Sequence, residues 1–240
     1  MTRHALVVGG TKGMGPASVG ALVDSGYVVS VIARTVPPRS AHVAGAHYLA
    51  ADVLRRKKLT NVVAAMVAAR GALAALVLFQ RYRGTGDAYD GEIATSVTGT
   101  KDVVELAAPL FAESGGSIVI VSSVASRLVT RGQPVGYHVA KAALVQMARF
   151  YAVALGGQGV RVNSVSPGVV VREGKFPDKD LVARSKRMLP LARMGTAADV
   201  AGVVAFLCSP GASYLTGQDL VVDGGLSLLW AEDFFREIRR

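Results

Sequence analysis

The chain reads as an α/β protein built on a doubly wound parallel sheet with helices on both faces. Its apolar runs are continuous rather than alternating: Val28 to Ala33, Leu73 to Phe79, Ile118 to Val121 and Leu220 to Val222. Strands buried on both faces have this character. Helix-like stretches separate them, Leu59 to Ala69, Lys101 to Phe111 and Val139 to Leu155. Strands that alternate with helices favour parallel pairing. A glycine-rich turn, Gly9-Gly10-Thr11-Lys12-Gly13-Met14-Gly15, joins the apolar run Ala5 to Val8 to a helix start at Pro16 to Leu22.

In chain order, the first element is the strand ending at Val8. The glycines after it permit a tight bend and let the backbone approach a dinucleotide, whose pyrophosphate meets the helix N-terminus. Their spacing, G-x-x-x-G-x-G, differs from the G-x-G-x-x-G fingerprint. The second strand ends at Ala33 and is followed by Arg34. His42 and His47 flank a glycine in a loop without other ligand-type residues, so no metal site is expected. Arg55-Arg56-Lys57-Lys58 reads as a solvated helix start or loop. Val62 to Phe79 is the most hydrophobic stretch, but Arg70-Gly71 divides it, and neither part reaches the ~20 residues that span a bilayer. Arg81-Tyr82-Arg83 follows the carboxyl end of the next strand, the edge where open α/β sheets bind ligands. It is placed to hold an anionic substrate group, to brace cofactor phosphates, or to pair with Asp87 or Asp90 on the surface. Cys208, the lone cysteine, lies in an apolar helix and reads as a small core residue.

Bulk properties agree with one domain over residues 1–240, with residues 226–240 a C-terminal tail. Hydrophobic residues make up 51% of the chain, enough for a buried sheet. The formal net charge is +10, and residues 1–85 carry eleven Lys/Arg against two acidic residues. Nearly all the excess therefore falls in the half expected to bind the cofactor. No recognition motif or aromatic interleaving supports nucleic-acid binding. The chain begins a strand almost at once, which fits no signal peptide; a cytoplasmic protein with no membrane association is expected.

Tyr137 and Lys141 are four residues apart, on one face of a helix, and Ser123 lies fourteen residues upstream of the tyrosine. A phenol with an ordinary pKa of about 10 is a poor acid at neutral pH. A nearby ammonium favours the phenolate and lets the tyrosine exchange a proton with a substrate oxygen. A serine hydroxyl at the end of a strand can hydrogen-bond the same oxygen. His138, one position on, points about 100° away around the helix, which suits packing or an interface.

Together with the glycine turn, this trio resembles the short-chain dehydrogenase/reductase family. Further motifs extend the resemblance over nearly the whole chain: Asp52 in Ala-Asp-Val, Val162-Asn163-Ser-Val-Ser-Pro167-Gly168, Arg193-Met-Gly195 with Asp199-Val200-Ala201 and Phe206-Leu207, Thr216-Gly217-Gln218, and Val222-Asp223-Gly224-Gly225. It implies a Rossmann-type fold, a nicotinamide cofactor, and a homotetramer or homodimer. The cofactor positions it implies are Gly9, Thr11, Lys12, Gly13, Met14, Gly15, Arg34, Asp52, Val53, Gln80, Tyr137, Lys141, Pro167, Gly168 and Val170. Asp52 would contact the adenine edge, and the Val162 to Gly168 segment would follow the sixth strand and border the nicotinamide. Asn163 reads as a brace for the backbone. The acidic residue that selects NAD in this family falls at Ala33, whereas Arg34 and Lys12 can supply positive charge to a 2′-phosphate. NADP(H) is the expected cofactor.

The sequence departs from the family at three places. Asn-Asn-Ala-Gly at the end of the fourth strand is replaced by Leu78-Phe79-Gln80-Arg81. The asparagine that holds a water in the family's proton relay aligns with Ser96, a shorter residue that can still order a water. A threonine beyond Pro167 aligns with Arg172. The retained trio implies reduction of a ketone, with Tyr137 as acid, Ser123 orienting the oxygen, and Lys141 assisting the tyrosine and holding the nicotinamide ribose. A non-catalytic NADP(H)-binding or regulatory protein, and an NADP-dependent epimerase or dehydratase, remain open alternatives. Val169 to Leu191, where family specificity resides, mixes apolar and basic residues and suggests a partly apolar small-molecule carbonyl substrate, with an anionic one compatible. Trp230, Phe234, Phe235 and Ile238 suggest a tail that packs on a neighbouring subunit or covers the active site.

Overall fold

The computed structural model describes residues 3–171 and 179–229. Seven strands form one sheet: β1 (Arg3–Val8), β2 (Tyr27–Ala33), β3 (Ala46–Ala50), β4 (Leu73–Leu78), β5 (Gly116–Val121), β6 (Val160–Pro167) and β7 (Asp219–Val222). Their order is β3-β2-β1-β4-β5-β6-β7, and every pairing is parallel. The order reverses between β1 and β4. That switch point opens a crevice at the carboxyl ends of the strands.

Successive side chains of a strand point to opposite faces, so each apolar run feeds two cores. Leu6, Val8, Leu76, Leu78, Ile118 and Ile120 meet helices α2 (Arg56–Arg70), α4 (Gly99–Ala107) and α5 (Val135–Gly156) on one face. Ala5, Val7, Val29, Val31, Val77 and Val119 meet α1 (Gly15–Asp24) and α7 (Ala197–Cys208) on the other. Two further helices are α3 (Ala88–Glu92), which packs against α5, and α6 (Lys179–Met188), which precedes α7. Helix α5 is long and apolar enough to cross a membrane by length and composition. Here it lays Ala140, Leu144, Ala148 and Leu155 into the core.

Several element boundaries differ from those the sequence suggested. Helix α5 begins at Val135 rather than Val139, which brings Tyr137 into its first turn. The predicted Lys101 to Phe111 helix is preceded by a π-helical turn, Ile93–Thr98, and ends at Ala107. Strand β3 was not anticipated: His47, expected in a loop, pairs in register with Ser30 of β2. Its run Ala46–Ala50 is only half-buried, so it lacks the continuous apolar signal of the central strands. The Val162 to Pro167 motif does not follow the sixth strand but forms it. The basic run at Arg55 to Lys58 is exposed at the start of α2, as expected. Cys208 is buried, and desolvation raises its thiol to about 12.

Candidate active site

The turn between β1 and α1 is shaped by close backbone approach. Gly9 has φ +79°, and a Cβ there would stand 2.8 Å from the Gln80 backbone nitrogen at the end of β4. Gly15 abuts Gly10 so closely that a Cβ would come within 2.5 Å of the Gly10 carbonyl carbon. Gly13, with φ +64°, would project its Cβ into open space. The turn therefore presents bare backbone and the N-terminus of α1 to the crevice, a setting that favours anions.

That crevice is a cleft of about 730 Å³. Lys12 and Arg34 are exposed on its wall, with Ala33 at the end of β2. Gly9, Thr11, Gly13, Met14, Asp52, Val53, Gln80, Pro167, Gly168 and Val170 also line it. Ser123, Tyr137 and Lys141 line the same cleft. Of the residues expected to touch a cofactor, only Gly15 does not reach the wall; its contribution is the contact with Gly10. Asp52 also has a local duty, its carboxylate accepting from Leu54 N at 3.0 Å.

The trio is positioned by β5 and α5. Beyond β5, Ser122 Oγ donates to the Lys141 carbonyl at 2.7 Å, and Lys141 Nζ donates to the Val121 carbonyl at 2.9 Å. These two bonds tie the strand end to the first turns of the helix. Ser123 Oγ accepts from Ala125 N at 3.2 Å, so its hydroxyl hydrogen is left to donate. The Lys141 ammonium stands 5.6 Å from the Tyr137 ring centroid. Burial lowers the lysine to about 8; Glu92 opposes this, while Arg81 and Arg83 add to it.

His138 is not part of the trio. Its Nε2 accepts from Thr130 N at 2.9 Å, which places the ring hydrogen on Nδ1, 3.0 Å from the Pro134 carbonyl. The histidine thus holds the Thr130 to Pro134 loop, of which Thr130 and Gln133 wall the cleft. Asn163 braces backbone as expected, donating to Leu215 O at 2.8 Å and accepting from Gln218 N at 3.0 Å.

Ser96 does not line the cleft. It is buried in the π-helical turn and donates to Glu92 Oε2 at 2.5 Å. Its hydroxyl hydrogen is spent on the carboxylate, which leaves its oxygen lone pairs as acceptors. Glu92 itself, only 2% exposed, was not foreseen. It precedes Ser96 by four positions, a spacing that places two helical residues on one face and offered the signal. Arg81 pairs with neither Asp87 nor Asp90. It lies 3.4 Å from Glu92 Oε1, while Asp87 caps α3 by accepting from Tyr89 N and Asp90 N. Arg172, Lys175 and the segment from Trp230 onward lie outside the described residues. The first part of the tail, Leu226, Ser227 and Leu229, borders the cleft.

The residues present fit a dinucleotide. Gln80 Nε2 donates to Thr100 Oγ1 at 2.7 Å, while its Oε1, buried at the cleft wall, has no partner among the described residues. Bare glycine backbone and the exposed cations Lys12 and Arg34 supply what a pyrophosphate and its neighbours need.

Fold and cleft together define an oxidoreductase built for a nicotinamide cofactor. Residues 9–227 match the family model described as enoyl-(acyl carrier protein) reductase, and the chain belongs to the short-chain dehydrogenase/reductase family. It is similar to a tropinone reductase homologue of Arabidopsis thaliana, 35% identical over 93% of this chain and 90% of that protein. Isoepoxydon dehydrogenase of Penicillium expansum is 30% identical, over 93% and 94% respectively. Among solved structures, a short-chain dehydrogenase/reductase of Serratia marcescens superposes with a TM-score of 0.84 at 29% identity, over 94% of this chain and 98% of that one.

Proposed function

We propose that this protein is an NADPH-dependent carbonyl reductase in which Tyr137 protonates the substrate oxygen. The observation that carries the reading is one cleft lined both by Lys12 and Arg34 and by Ser123, Tyr137 and Lys141. With no acidic residue at Ala33 to hold a ribose diol, the cations favour a 2′-phosphate. The reading treats residues 1–240 as one cofactor-binding domain.

Gly9 to Met14 would hold the pyrophosphate, Lys12 and Arg34 the 2′-phosphate, and Lys141 and Gln80 the ribose hydroxyls. Bound NADPH supplies the hydride that adds to the carbonyl carbon. Ser123 donates its hydroxyl hydrogen to the carbonyl oxygen and fixes its orientation. Tyr137 gives its phenolic proton to that oxygen as negative charge develops there. Lys141, clamped to Val121 O, keeps a positive charge close to the phenol. Positioning and electrostatics carry the rate. The exposed apolar residues Val139, Phe150 and Val153 along α5 support a second copy of the chain as the protein's own partner.

Calorimetric titration with NADPH and NADH tests the cofactor half. NADPH is expected to bind the more tightly, and Arg34→Ala to weaken NADPH far more than NADH; equal losses would remove the 2′-phosphate assignment. For the chemical half, Tyr137→Phe is expected to abolish ketone reduction with NADPH affinity intact. Full activity in that variant would show that another group is the acid.

A further inference from the structure

Three buried side-chain polar atoms lack a partner among the described residues: Gln80 Oε1, Arg81 Nε and Ser126 Oγ. Two of them sit on consecutive residues at the end of β4, where the chain departs from its family. Gln80 faces the groove already assigned to the cofactor. Arg81 needs a separate account, because its side chain lines the cleft beside the tyrosine. The guanidinium carbon stands 4.5 Å from the Tyr137 ring centroid.

One end of that guanidinium is held. Nη2 lies 3.4 Å from Glu92 Oε1 and 3.4 Å from Gln133 Oε1. Both contacts are long and both use Nη2, so among the described residues Nη1 and the buried Nε keep hydrogens without an acceptor. Glu92 is engaged elsewhere, its Oε2 accepting from Ser96 Oγ at 2.5 Å and from Tyr82 N at 3.3 Å. The carboxylate thus aims Arg81 without covering it. Glu92, Arg81 and Arg83 all act on the charge of Lys141, so the guanidinium of Arg81 stands near the ammonium as well as the phenol. A buried donor without an acceptor is costly, and an arginine edge matches a planar carboxylate in shape as well as charge.

We propose that Arg81 anchors a carboxylate carried by the carbonyl substrate, and so selects anionic ketones at Tyr137. This rests on the carbonyl-reductase reading. It differs from a bracing role on cofactor phosphates, because Arg81 lies over the catalytic ring rather than beside Lys12 and Arg34.

Matched ketones separate the possibilities: 3- and 4-acetylbenzoate against 3- and 4-acetylbenzamide. Each is titrated calorimetrically into the protein with and without NADP⁺, and each is offered as a substrate with NADPH. At least one acetylbenzoate is expected to bind roughly 10- to 100-fold more tightly than its amide, as a charge-assisted contact implies. Arg81→Gln should erase that difference while leaving NADPH and amide affinity in place, and Arg81→Lys should restore part of it. Equal affinity for acid and amide in the wild-type protein overturns the proposal, as does an equal loss for both in Arg81→Gln. A binding preference for the acid with no turnover would keep the anchor and remove the reductase reading. Turnover of both ketones without preference would do the reverse.

Discussion

Lys141 is buried beside Glu92, Arg81, Arg83 and Tyr137, and desolvation brings its ammonium down to about 8. Below that value the side chain is charged, as the proposed reductase mechanism requires; above it the charge is lost. Reduction should therefore fall as pH rises through about 8. Glu92 is the one group among these that favours the charged form. Removing its negative charge leaves desolvation and the two arginines unopposed, so Glu92→Gln should move the fall to lower pH. The profile of kcat/KM for a reducible ketone across the neutral and alkaline range checks this. A fall that stays in place, or moves upward, would separate Glu92 from the lysine. Ser96→Ala is a useful companion, since it removes a neutral partner of Glu92 and should shift the limb far less.

Among the elements, the short helix α3 carries Glu92, which pairs with the Arg81 that lies over Tyr137. It packs on the first turn of α5 through Gly136, where a Cβ would come within 2.5 Å of Tyr89 Cα and 2.9 Å of Ala88 O. Backbone cannot yield as a flexible side chain can. Gly136→Ala should push α3 away and destabilise the protein by about 1–3 kcal/mol, the usual range for overpacking. A lower melting temperature and a reduced kcat, with NADPH affinity retained, are expected; an unchanged kcat would mean that α3 does not position the site. This dependence was hidden in the sequence. The glycine turn, Ser123, Tyr137 and Lys141 stood out through the family resemblance that their combined spacing carries, and the structure brings them to one cleft. The corner formed by Arg81, Glu92 and Ser96 did not, because α3 and the π-helical turn lack the long apolar periodicity that marks an element. Strand β3 escaped for a related reason, since an edge strand buries too little to read as a continuous apolar run.

At the scale of the whole molecule, the two apolar cores are covered by the helices around the sheet, yet α5 still shows apolar side chains to solvent. Phe150 is 65% exposed and Val153 86%, on the side opposite the buried Leu144, Ala148 and Leu155. Single exposed apolar residues are ordinary. Two of them one turn apart, on a helix whose other face packs in the core, make this face the candidate contact for a second copy. A cyclic dimer would place this face against its own copy, so each substitution acts twice, once from each subunit. Phe150→Asp combined with Val153→Asp should shift the protein from dimer or tetramer to a smaller species in light scattering. Because both side chains point away from the cleft lining, NADPH affinity of the smaller species should persist. If the wild-type chain is monomeric, or the double variant keeps the wild-type mass, the α5 face is not the contact.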